Sequence, residues 1–162
     1  LVDEDVLNEI INTIGTMEPE QGGILGKDEN GKIVTFLLDE NGSKTGHTYS
    51  PDKDWVNEKL KEWEQQGIKL AGIVHSHPCY YNDHIPSKDD VEYAARILEA
   101  MPETLGGIFH MPIVTINDGY VRLSWWAVTD EGLTSANIIS HKDGLMVNNT
   151  VNMVRKVGNN NE

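Results

Sequence analysis

The apolar run Leu70 to Val74, which ends in His75-Ser76-His77, constrains this chain more than any other stretch. A short apolar run that opens into a polar loop reads as a buried strand. Side chains alternate across a strand, so His75 and His77 share one face where the strand emerges. Nine residues lie between His77 and Ser87, after which Ser87-Lys88-Asp89-Asp90 opens an amphipathic stretch of helical period, and Asp90 brings a carboxylate back toward the imidazoles. Two neutral nitrogens and one carboxylate oxygen suit zinc. Three protein ligands leave a fourth tetrahedral position for water, which separates a catalytic site from a closed structural one. The pattern therefore predicts one Zn2+ ion on His75, His77 and Asp90 with a bound water. Each half has a plainer reading: His-x-His can be a polar pair at a loop mouth, and Ser87 with Asp90 matches a helix N-cap and capping box. The joint spacing, with Glu20 upstream, favours the metal.

Around this core the chain reads as alternating helices and strands. Leu7, Ile10, Ile11 and Ile14 recur at helical spacing over residues 3 to 14, behind the acidic start Asp3-Glu4-Asp5, and Gly15 is placed to end that helix. Ile24-Leu25, after Gly22-Gly23, reads as a short buried strand whose glycines allow a bulge or close backbone approach. Glu20 stands at its entrance, where a base would face a metal-bound water. Ile33 to Leu38 forms the next strand, between the turn signals Asn30-Gly31 and Asn41-Gly42. Ser50-Pro51 predicts an N-cap with proline at the first helical position, and Val56, Leu60 and Trp63 give the core stripe of a helix that stops at Gly67. The helix over 88 to 101 is expected to bury Val91, Ala94, Ala95 and Leu98. From Leu105 the chain returns to β structure: Gly106 to Ile116, broken by Pro112, then Tyr120 to Val128, joined by a three-residue Asn117-Asp118-Gly119 hairpin. A further strand pair is expected around Lys142-Asp143-Gly144.

With 162 residues, residues 1–158 are expected to form a single domain, long enough to bury a core, with 159–162 as a disordered tail. The one cysteine, Cys79, excludes an internal disulfide and a Cys-rich zinc site. Net charge is −13, from 26 acidic and 13 basic residues, with no basic cluster, which argues against nucleic acid as a partner. No stretch approaches the roughly 18 apolar residues of a membrane span, and the acidic start lacks the regions of a signal peptide. A cytoplasmic protein with no membrane partner is the expectation.

Glu20-x-Gly22-Gly23-x-Leu25-Gly26, then His75-Ser76-His77-Pro78, then Pro86-Ser87-x-x-Asp90, closely resembles the JAMM, or MPN+/JAB, zinc metallo-isopeptidases, especially their prokaryotic branch. The motifs cover residues 20 to 90, and the element order extends the likeness to about residue 128. The resemblance implies an α/β, cytidine-deaminase-like JAB/MPN fold with a curved mixed β-sheet flanked by helices. It also implies hydrolysis of amide or isopeptide bonds, often after the C-terminal glycine of a ubiquitin-like or sulfur-carrier protein. The interval from His77 to Ser87 is two residues longer than the family's usual spacing, so the loop carrying Cys79 and His84 departs from the pattern while the ligand set is kept.

In that chemistry zinc lowers the pKa of bound water from roughly 15.7 to about 7 and polarises the carbonyl. Glu20 accepts the proton and returns it to the leaving amine, and Ser87 donates a hydrogen bond to the tetrahedral oxyanion. Three other readings compete. A zinc deaminase requires His-x-Glu and Pro-Cys-x-x-Cys, and Pro78-Cys79 lacks the second cysteine. A peptidase on cell-wall or other non-ubiquitin peptides fits the same ligands. A non-catalytic MPN scaffold mediating assembly is the third, against which stands the intact set of Glu20, His75, His77, Ser87 and Asp90.

Overall fold

The structure, a computed structural model, describes residues 2–16, 21–40, 51–77, 85–117, 120–135, 138–142, 145–149 and 152–156. A short strand, β1 (Val2–Asp3), leads into helix α1 (Glu4–Thr13), where Asp3 caps the helix by accepting from the amide of Asp5. Gly15 does not end the turn as expected: a 3-10 turn carries Ile14–Thr16 onward, and the side chain of Ile14 is fully buried, so packing holds the extra turn. Strands β2 (Gly22–Lys27) and β3 (Ile33–Asp39) follow. Between them Asp28 accepts at its carboxylate from the amides of Asn30 and Lys32, and Gly31 takes φ +82°, as Asn30-Gly31 predicted.

Helix α2 (Lys53–Glu64) starts later than the Ser50-Pro51 pattern implied. Its N-cap is Asp52, whose carboxylate accepts from the amides of Asp54 and Trp55. Pro51 thus precedes the cap, and Asp52 serves because it offers an oxygen to the two amides that lack helical acceptors. The helix closes as expected at Gly67, φ +73°, with the amide of Ile68 reaching back to the carbonyl of Trp63. Strand β4 (Lys69–His77) comes next, then α3 (Lys88–Ala100). Along α3, Ala94 is buried, but Ala95 is exposed, contrary to expectation; Tyr93 and Ile97 pack on the core beside Val91 and Leu98. The chain then makes a one-turn helix, α4 (Pro102–Leu105), ahead of the expected return to strand, with Pro102 at its start and Gly106 left-handed at its end.

The remaining strands are β5 (Phe109–His110), β6 (Ile113–Asn117), β7 (Tyr120–Ser124), β8 (Trp126–Thr129), β9 (Gly132–Ser135), β10 (Ile138–Lys142), β11 (Leu145–Asn149) and β12 (Asn152–Lys156). β5 with β6, and β8 with β7, are one long hairpin, since the register is unbroken across the interruption at Pro112 and Trp125. Pro112 lacks an amide, and that is where the ladder pauses. The hairpin closes at the pair Asn117 and Tyr120, a two-residue connection rather than three. β10 and β11 pair antiparallel around the predicted turn, ending at Lys142 opposite Leu145.

Among the described residues all twelve strands belong to one mixed sheet, ordered β11-β10-β1-β3-β2-β4 and then the long hairpin, which β9 and β12 flank. A flat sheet would hold β11 and β12 about 38 Å apart at strand spacing. Two residues, 150 and 151, separate them in the chain, a reach of roughly 11 Å. The sheet is therefore curved until its edges approach. One face packs α1 through Val6, Leu7, Ile10 and Ile11 against Leu25, Phe36, Val74 and Val114. The opposite face packs α2 and α3 through Trp63, Leu60, Ala94 and Ile97 against Ile24, Leu70, Ile73 and Phe109.

A single bulge decides what β4 presents to each face. Leu25 pairs with Gly72 but Gly26 pairs with Leu70, so Ala71 is an extra residue in β4. The alternation flips there: Leu70 and Ile73 lie on the α2/α3 face, while Ala71 and Val74 lie on the α1 face. His75 and His77, two and four residues past Ile73, follow it to the α3 side.

Candidate metal centre

β4 is paired on both sides near its end, with Gly22 of β2 opposite His75 on one side and Ile113 to Thr115 of β6 beside His75 to His77 on the other. Both histidines are consequently buried, at 4% and 8% exposure. Asp90, in the first turn of α3, is 9% exposed. The two imidazole Nε2 atoms lie 2.8 Å apart, and each is 3.2 Å from Asp90 Oδ2. The cap of α3 aims that carboxylate: Ser87 Oγ accepts from the amide of Asp90 at 3.1 Å, and the amide of Ser87 donates to Asp90 Oδ2 at 2.9 Å. The capping box and the converging triad are one arrangement, because the same oxygen takes part in both.

The model of the prokaryotic homologs of the JAB domain matches residues 7–128, most of the sequence. The chain belongs to this JAB-domain family. Its fold is similar to the solution structure of protein DSY2949 from Desulfitobacterium hafniense, with a TM-score of 0.65 at 16% identity over 88% of this chain and 92% of that one. At that identity the likeness concerns the JAB/MPN fold alone. No curated protein matches the sequence.

In this JAB domain the triad has the chemistry of a cation site. A carboxylate only accepts, and two imidazole nitrogens 2.8 Å apart leave room for one proton between them. Burial pushes the His75 imidazole below its usual pKa, outweighing the contacts with Asp90 that raise it, and favours the neutral, ligating form. Burial works against the charge on Asp90, yet hydrogen bonding to His75 and His77, and then the Ser87 amide, holds its carboxyl well below the usual carboxylate range. Tetrahedral zinc with bonds near 2.0–2.1 Å requires ligand atoms about 3.3 Å apart. The triangle here has edges of 2.8, 3.2 and 3.2 Å, a slightly contracted version of that face. The residues fit a zinc ion.

Ser87 is exposed beside this triangle. Its oxygen accepts from Asp90, which uses a lone pair and leaves the O–H able to donate. Glu20, Cys79 and His84 lie outside the described residues. The sequence reading overlooked how the chain next to Glu20 is held. Ser76, between the histidines, is fully buried and bonds Gln21 twice, with its own amide donating to the Gln21 carbonyl and its Oγ accepting from the Gln21 amide, both at 2.9 Å. A hydroxyl in the middle of a buried strand, where an apolar residue is the default, was the available signal. Among the described residues no helix is long and apolar enough to cross a membrane.

Proposed function

We propose that this JAB domain is a zinc-dependent hydrolase of amide or isopeptide bonds, acting at the C-terminus of a ubiquitin-like or sulfur-carrier protein. The observation that carries the reading is the convergence of His75, His77 and Asp90 on one buried point. Membership of the JAB family supports hydrolysis as the reaction class. His75 and His77 would present neutral nitrogens and Asp90 an ionised oxygen, with Asp90 held in that state by Ser87 and the imidazoles. When bound, zinc would supply Lewis acidity and a water of lowered pKa, about 7 in enzymes of this kind. Glu20 is assigned as the base that takes the water's proton and delivers it to the leaving amine. Ser87 is assigned as the oxyanion donor, an interaction typically worth about 2.7 to 4 kcal/mol when removed.

Metal content and turnover test the assignment together. Wild-type protein is expected to bind close to one zinc per chain, and His77→Ala and Asp90→Ala to lose it. Glu20→Gln should keep the metal and lose cleavage of a ubiquitin-like or sulfur-carrier protein extended by an amide bond at its terminal glycine. Turnover retained in that variant refutes the base. Absence of zinc after reconstitution refutes the hydrolase and leaves a scaffold, while cleavage confined to cell-wall peptides replaces the substrate class.

A further inference from the structure

Ser76 points to the opposite face of β4 from the two histidines, and nothing in the reaction outlined above uses it. Beyond the bulge, β2 and β4 pair regularly from Leu25 and Gly72 to Gly22 and His75. One step beyond, the amide of Ser76 donates to the carbonyl of Gln21. In an antiparallel pair of this kind the return bond runs from the second amide to the first residue's carbonyl. Here the Ser76 hydroxyl accepts it, at 2.9 Å. The side chain thus extends the ladder by one bond, to the residue that precedes β2.

From Gly22 onward, backbone pairing to β3 and β4 holds β2. Gly22 and Gly23 are conformationally permissive and have no side chains with which to fix a register. Gly23 is pressed against the carbonyl of Leu37 and the ring of Phe36, where a Cβ would have no room, so packing bars a larger residue there. The polar pin across to Ser76 carries that pairing one residue further, to Gln21. The amide of half-buried Gln21 needs an acceptor, and alanine at position 76 would take this one away.

We infer that Ser76 is a positioning residue that anchors the entrance of β2 through Gln21 and thereby sets where Glu20, one peptide bond upstream, stands relative to His75, His77 and Asp90. The inference rests on the reading of Glu20 as the base. Alternation along one strand then supplies both halves of the site: His75 and His77 on one face for the metal, Ser76 on the other for the chain that carries the base.

The test reads position rather than turnover. In isotopically labelled wild type, the Gln21 amide should exchange slowly and the Glu20 side-chain carboxyl resonance should move on zinc binding. In Ser76→Ala, Gln21 exchange should accelerate at least about tenfold and the zinc-induced movement of Glu20 should fall below about half, with zinc stoichiometry and the protection of Ile73 and Val74 unchanged. Ser76→Thr keeps a hydroxyl acceptor and should restore both readouts. Gln21 exchange that is already fast in wild type, or unchanged in Ser76→Ala, overturns the anchor and leaves Glu20 in place. A Glu20 resonance indifferent to zinc in wild type removes the base, and this proposal with it. Should Ser76→Ala fail to fold, wild type and Ser76→Thr decide: slow Gln21 exchange in both supports the anchor, and fast exchange in wild type refutes it.

Discussion

Asp90 was legible from the sequence in two ways, as a capping-box residue and as a metal ligand, and the two readings looked like rivals. The structure joins them, since Oδ2 accepts from the Ser87 amide while facing both imidazoles. The cap orients the carboxylate toward the imidazoles, as outer hydrogen bonds commonly do in metal sites. His110 is a different case, with no cue in the sequence. Trp125 Nε1, which only donates, lies 3.0 Å from His110 Nδ1, so that nitrogen must be unprotonated. Burial, and then the charge of Lys27, lower the His110 pKa to about 4. A histidine lowered in the folded state binds fewer protons than in the unfolded one, so its contribution is complete above about pH 6.5 and is lost as pH falls toward 4. The loss is at most about 3 kcal/mol. In metal-free protein, urea midpoints for wild type should fall from pH 7 to pH 4.5 by more than those of His110→Asn, which keeps an acceptor for Trp125 without titrating here. Parallel slopes in the two proteins would refute it.

At the scale of elements, period and punctuation identified most of the helices and strands, because each announces itself within a few residues. Gly67 stops α2, Asp3-Glu4-Asp5 starts α1, and Pro112 interrupts the strand it sits in. The start of α2 lies later than Ser50-Pro51 implied because the Asp52 carboxylate takes the amides of Asp54 and Trp55, and those hydrogen bonds appear only in the folded chain. The surface fate of Ala95 was misread because alanine suits either side of a helix. Glycine at position 72 has a meaning local pattern does not carry. A Cβ there would run into the backbone of His110 on β5, so β4 and the long hairpin can approach this closely only without one. Gly72→Ala should destabilise the protein by about 1–3 kcal/mol, the usual range for overpacking, read as a lowered denaturation midpoint at unchanged slope. An unchanged midpoint would show that the strands can separate at no cost.

Over the whole molecule, the triad ties the central strand to α3, which packs on the sheet through Ala94 and Ile97. A cation shared by His75, His77 and Asp90 binds only the folded chain, because the ligands are 15 residues apart and meet by tertiary packing. Zinc at about a hundredfold its dissociation constant should add about 2.7 kcal/mol. For a chain of this size that is a rise in Tm on the order of 5–10 °C. His77→Ala should abolish the rise, and calorimetry with and without a chelator checks it. A rise that survives in this variant would place the stabilising metal elsewhere.

The sequence by itself determined the residue types of the candidate metal triad, their spacing, the cap that begins α3 and the strand that delivers the histidines, because each is written in neighbouring residues. It also carried the family resemblance that the match over residues 7–128 supports. Only the tertiary structure decided which face the histidines take. Simple alternation from Leu70 would have turned them toward α1, and the extra residue Ala71, set opposite the Leu25-Gly26 step of β2, turns them toward Asp90 instead. A bulge is a property of two paired strands, so it exists only once they pair. The same holds for the bond from the Gln21 amide to Ser76, which joins residues 55 apart in sequence, and for the curvature that brings β11 and β12 together.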